Sequence, residues 1–149
     1  MARVTDPEQR TLYERVGGGA FFERLVEIFY DGVAADEVLA PLYPEYPDYR
    51  GARHRLALFL QQYWGGPTTY SDERGHPRLR MRHMPFVIGE RERDHWLTHM
   101  TRAVDEAVAE LAVDDAERGQ LAAALHGYFG PSADHMRNQG LQQIIGPRP

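Results

Sequence analysis

Four stretches of this sequence place apolar residues at helical spacing, and glycine or proline stands at the breaks between them. Phe22, Leu25, Val26, Phe29 and Val33 share one face of a helix predicted over about 20–35, with Tyr30 bordering that face. Ala52, Leu56, Phe59, Leu60 and Tyr63 do the same for a helix over about 48–63, which ends at Gly65-Gly66-Pro67. Trp96, Met100, Ala103, Val104, Ala107, Val108 and Leu111 line a third, over about 90–111. Leu121, Leu125, Tyr128 and Phe129 line a fourth, from about Asp115. Pro131 removes one backbone donor there and predicts a kink. No β-hairpin pattern and no internal repeat interrupts this series. The expected fold class is therefore all-α, with helix packed on helix.

Shorter features fill the gaps. Thr11-Leu12-Tyr13-Glu14 has the form of a capping box, and the short helix it opens should stop at Gly17-Gly18-Gly19. Asp36 opens a turn that reaches Tyr43, in a segment broken by Pro41, Pro44 and Pro47. Residues 66–77 read as an ordered loop without helix. A helical turn over about 79–84 should be closed by Pro85. Residues 1–10 read as a loose arm, 11–137 as one domain and 138–149 as a frayed tail.

Bulk properties narrow the function. The 149 residues suffice for one core. With 42% hydrophobic and 26% charged residues the chain reads as globular, and its net charge of -5 gives no electrostatic case for nucleic acid or anionic lipid. The absence of cysteine excludes disulfides, iron–sulfur clusters, thiolate ligands and covalent haem attachment. No apolar run has the length of a membrane span and no signal-peptide pattern opens the chain, so the expected location is cytoplasmic.

Seven histidines are present, and none forms a recognised zinc spacing. His95 and His99 are four apart on one helix, without an evident third ligand. His54, two residues past Ala52, points away from that residue's face. His83 stands in Arg78-Leu79-Arg80-Met81-Arg82-His83-Met84-Pro85-Phe86, where Leu79, Phe86 and Ile88 offer a dry wall and arginines offer partners for carboxylates. Taken alone, that stretch reads first as a solvated basic loop.

The order of Thr11–Gly18, Phe29-Tyr30, Tyr43-Pro44, the Phe59–Pro67 run ending Tyr-Trp-Gly-Gly-Pro, the His76–His83 run containing Arg-Met-Arg-His, and Trp96-Leu97 resembles the group II truncated haemoglobins, over about residues 11–136. The resemblance implies a two-over-two helical sandwich holding non-covalent haem b (iron protoporphyrin IX). It implies His83 as the proximal iron ligand through Nε2, and Tyr30, Tyr43 and Trp96 as distal hydrogen-bond donors. Each of these three is, singly, also a plausible core aromatic with a satisfied polar tip. Ala52 replaces the usual distal histidine, while Leu56 and Phe59 should line the distal wall. Leu79 and Phe86 should flank the cofactor. Arg55 and Arg82 are candidates for its propionates, or else solvated surface arginines.

The expected function is O₂ binding at ferrous haem with slow release, and binding of NO, CO or peroxide as further ligands. An alternative is a haem enzyme, peroxidase-like or oxidising nitric oxide, which would need an external reductase because no flavin or nicotinamide motif is present. A cofactor-free helical interaction module is a third reading. Oligomeric state is not legible.

Overall fold

The computed structural model describes residues 10–43, 49–78, 83 and 88–137. Helices α1 (Leu12–Arg15), α2 (Gly19–Ala34), α3 (Arg50–Tyr63), α4 (Thr69–Arg74), α5 (Glu90–Ala109) and α6 (Asp115–His135) follow one another, with a 3₁₀ turn at Ala40–Leu42. No strand occurs among the described residues. Helix α2 packs on both α5 and α3, and α5 packs on α6, giving the two-over-two sandwich. The arm at 1–9, the tail at 138–149 and most of the expected turn at 79–84 lie outside the described residues.

The core is made by the predicted stripes. Phe22, Leu25, Phe29 and Val33 from α2, Met100, Ala103 and Val104 from α5, and Leu121 and Leu125 from α6 are all fully buried. Local signals set the helix ends. Thr11 and Glu14 form the reciprocal capping box, with Glu14 N–H donating to Thr11 Oγ1 at 3.1 Å and Thr11 N–H to Glu14 Oε1 at 3.0 Å. Asp114 caps α6 by accepting from Glu117 N–H at 2.8 Å.

The Gly65-Gly66 pair has a steric task. A Cβ at Gly66 would lie 2.6 Å from the Tyr13 ring, and one at Gly65 would lie 2.6 Å from Thr11 Cβ. The bare backbone lets α1 lie against the end of α3, where Tyr13 N–H donates to the Trp64 carbonyl at 3.0 Å.

One expectation is corrected. The 66–77 segment is not helix-free, because α4 occupies Thr69–Arg74. Its six residues contain neither glycine nor proline. Gln62 secures it from α3, accepting from Ser71 N–H at 3.0 Å and donating to Ser71 Oγ at 2.7 Å. Helix α6, where a kink is expected at Pro131, runs to His135 as one α-helix with that proline inside it.

Candidate functional site

Helices α3, α5 and α6 and the turn after α2 enclose a cavity of about 480 Å³. That volume falls in the roughly 300–1,000 Å³ range of cofactor and small-molecule sites. Its wall is mainly apolar: Leu39 and Leu42 from the turn, Leu56, Phe59 and Leu60 from α3, Ile88, and Phe129 from α6. Ala52 borders it as well, one turn before Leu56.

Of the predicted site residues, the structure brings His83, Tyr30, Tyr43, Trp96, Ala52, Arg55, Leu56 and Phe59 to this one cavity. Leu79, Arg82 and Phe86 lie outside the described residues. His83 is half-buried and is the only histidine among the described lining residues. The others are placed elsewhere. His54 Nε2 meets Glu73 at 3.2 Å on an exposed face, His126 meets Asp105 at 2.9 Å, and His95 and His99 both meet Asp36. His76 and His135 border a separate open groove beside Tyr63. Among the described residues no group of three or more His, Asp or Glu side chains is arranged to hold a metal ion.

The polar end of the cavity is aromatic. Tyr30, on the inner face of α2, is buried, and its ring lies 5.5 Å from that of Tyr43 at 86°. Phe29 wedges between helices, 5.0 Å from Tyr30 and 5.2 Å from Trp96. Phe129 supports the indole from α6 at 5.9 Å. The Trp96 and Tyr30 side chains both hydrogen-bond to the Tyr43 hydroxyl. Burial pushes the Tyr43 phenol up to about 12, against partial relief from those two bonds. Tyr43 therefore keeps its proton, and its capacity to donate, throughout the physiological range.

Several residues at the site were not legible in the sequence. Tyr49 is fully buried and closes a three-tyrosine cluster, 5.4 Å from Tyr30 and 5.5 Å from Tyr43. Its backbone is left-handed (φ 58), a conformation that nothing in the neighbouring residue types announces. Tyr70 and Arg74 reach the cavity from α4, the helix not expected. Tyr128 and Ser132 reach it from α6 and hydrogen-bond to each other. Their four-residue spacing was the available signal.

The donor set suits haem. A porphyrin plane needs apolar walls, an axial nitrogen and cations for two propionates. The cavity supplies the leucines and phenylalanines, His83, and Arg55 and Arg74 at its border. Arg93 also borders it and pairs with Asp94 and Asp134, both at 2.7 Å. A two-over-two helical sandwich around such a cavity defines a haem-binding globin.

The chain belongs to the bacterial-like globin family, whose model matches residues 11–127, and within it to the group II truncated haemoglobins. It is 37% identical over 127 residues to the group 2 truncated hemoglobin YjbI of Bacillus subtilis, covering 85% of this chain and 88% of that one. It is similar to the structure of a thermostable hemoglobin from the actinobacterium Thermobifida fusca. There the identity is 53% and the TM-score 0.78, over 87% of this chain and 98% of that one. It also matches the truncated oxygen-avid haemoglobin from Bacillus subtilis, at 35% identity and a TM-score of 0.70, over 87% of this chain and all (100%) of that one. Among the described residues no helix is long and apolar enough to cross a membrane.

Proposed function

We propose that this globin carries haem b, non-covalently, on His83 and binds dioxygen at the ferrous iron with slow release. The observation that carries the reading is the convergence of four polar rings on one apolar cavity: a single imidazole, His83, and the donors of Tyr30, Tyr43 and Trp96. Bound haem would supply the coordination chemistry for a diatomic gas, with His83 as the residue that would hold its iron.

The chain's own residues do the rest. His83 offers the nitrogen. Arg55, with Arg74, stands where the propionates need cationic partners. Leu56 and Phe59 exclude water from the distal side. Ala52 leaves that side without the imidazole found in ordinary globins, so the indole and phenols alone meet the ligand. Dioxygen gains partial negative charge on binding, and neutral N–H and O–H donors aimed at it slow its escape. Each bond contributes on the order of 1 kcal/mol, and more in a dry cavity. The oxygen avidity named for the Bacillus subtilis relative is in keeping with this arrangement. The location proposed is the cytoplasm.

Two measurements test it. Purified protein should show a Soret band that His83→Ala weakens or shifts; full retention of the wild-type spectrum contradicts the ligand assignment. Trp96→Phe and Tyr43→Phe should each raise the O₂ dissociation rate by roughly 3- to 10-fold, the worth of one hydrogen bond. Unchanged rates in both variants would remove the distal donors from the account.

A second reading, peroxide-dependent oxidation by the same site, is favoured by the protonated Tyr43 phenol, which is a proton source beside the cavity. Sustained oxidation of a phenol, abolished by His83→Ala and without haem bleaching, would establish it.

A further inference from the structure

A second cluster of titratable groups lies outside the cavity and links two of its walls. Asp36 follows the end of α2, where the chain turns toward Tyr43, and its carboxylate is only 8% exposed. Oδ1 accepts from the backbone N–H groups of Val38 (2.8 Å) and Leu39 (3.2 Å), ordering the turn that ends at Tyr43. Oδ2 meets His95 Nδ1 at 2.9 Å and His99 Nε2 at 2.7 Å. A carboxylate has no proton to give, so both imidazole nitrogens are the donors. These two histidines bracket Trp96 on α5, one residue before it and three after. One carboxylate thus ties the segment carrying Tyr43 to the helical turn carrying Trp96.

The His99 ring has no alternative setting. Its Nδ1 is buried without a hydrogen-bond partner. It faces Gly32 of α2 so closely that a Cβ there would lie 2.5 Å from it. Neutral imidazole carries one N–H, and here it belongs on Nε2, directed at Asp36. A proton on Nδ1 would become a buried donor against the α2 backbone with nothing to accept it. The tautomer and the orientation of the ring are both fixed by their surroundings.

We propose that Asp36 and His99 are positioning residues for the ligand-facing donors: they set the placement of the Trp96 indole relative to the Tyr43 phenol, and so the rate at which a bound gas is released. This rests on the reading of Tyr43 and Trp96 as the groups that meet the ligand. Neither positioning residue touches the cavity. Both act through the backbone segments they join.

The test uses the haem-loaded full chain in its ferrous, carbon-monoxide form. Two tryptophans give two indole N–H resonances, assigned with Trp96→Phe, and Trp64 at the far end of α3 serves as the internal reference. His99→Leu removes the donor at similar bulk. Asp36→Asn keeps an oxygen for Val38 and Leu39 but presents an NH₂ to His99, which has no tautomer to answer it. Both variants should shift the Trp96 indole signal and speed its hydrogen exchange by roughly 3- to 10-fold, leaving Trp64 unchanged. His99→Gln, with an amide nitrogen near the Nε2 position, should restore wild-type exchange. O₂ dissociation should rise in the first two and return in the third.

Wild-type indole exchange in folded His99→Leu and Asp36→Asn overturns the proposal, as does a His99→Gln variant that behaves like His99→Leu. If the indole responds as expected while O₂ release is unchanged in these variants and in Trp96→Phe, the tie between the segments is upheld and its control of gas release is refuted together with the distal-donor reading. If Trp96→Phe speeds release and the indole ignores Asp36 and His99, the distal reading survives and the positioning role is refuted.

Discussion

Gly32→Ala sets two effects of opposite sign against each other. In the interior of α2 the change should stabilise the helix by about 0.5–1 kcal/mol, because glycine loses the most backbone freedom on folding. The site does not admit the methyl group. It would lie 2.5 Å from His99 Nδ1 and 2.7 Å from Arg102 Nη2. Arg102 can swing away, since its side chain is 47% exposed and its partner Glu106 is equally open. His99 cannot, because Asp36 holds the other side of its ring at 2.7 Å. Relief requires a backbone shift between α2 and α5 or loss of the His99–Asp36 bond. Overpacking of this kind costs about 1–3 kcal/mol, and a hydrogen bond to a carboxylate about 1.5–3 kcal/mol. With the helix gain subtracted, the net expectation is destabilisation by about 0.5–2 kcal/mol. Gly119→Ala is the control, since nothing lies within 4 Å of its Cβ in α6, and it should stabilise by about 0.5–1 kcal/mol. Urea denaturation followed by far-ultraviolet circular dichroism, at equal haem loading, measures both. A Gly32→Ala protein as stable as wild type, or more so, would refute the steric argument.

Two further outcomes are expected. The Tyr43 phenol is raised from 10.0 to about 12, so the unfolded chain loses this proton first; stability is intact below pH 10 and falls as pH rises toward 12. Tyr43→Phe should flatten that alkaline decline in thermal melts taken across pH 9–12, and an unaltered slope would count against the buried phenol. Leu121→Ala, at a fully buried α6 position, should cost about 2–5 kcal/mol in urea titrations, while a cost below 1 kcal/mol would mean that α6 is not packed as described.

The four long helices were legible because their apolar stripes are regular and their ends carry glycine, proline or caps. The capping box at Thr11 and Glu14 is a purely local device, and it forms as the residue types dictate. Helix α4 was not legible: flanking Gly66, Pro67, Gly75 and Pro77 dominate that stretch, while the contact that secures it, Gln62 with Ser71, is tertiary. Tyr49 was hidden for a similar reason: its left-handed backbone and its place beside the Tyr30 and Tyr43 rings are not written in the residues around it. The candidate site was legible chiefly by family resemblance. Periodicity placed Tyr30 and Trp96 on helix faces, but it could not bring Tyr43, from an irregular segment, to meet them. His95 and His99 were visible as a four-residue pair; their shared partner, Asp36, stands 59 and 63 residues away in sequence.

On the proposed reading, Ala52 standing where ordinary globins carry a distal histidine bears on environmental sensitivity. A distal histidine changes charge between about pH 5 and 8, and its grip on a ligand changes with it. An indole N–H does not ionise in water, and the Tyr43 phenol holds its proton until about pH 12. These two side chains present the same hydrogens to a guest molecule in mild acid as in strong alkali. Being uncharged, they are also little affected by ionic strength. On that reading, affinity on this side would be insulated from swings in acidity and salt, and any such response would originate elsewhere in the molecule.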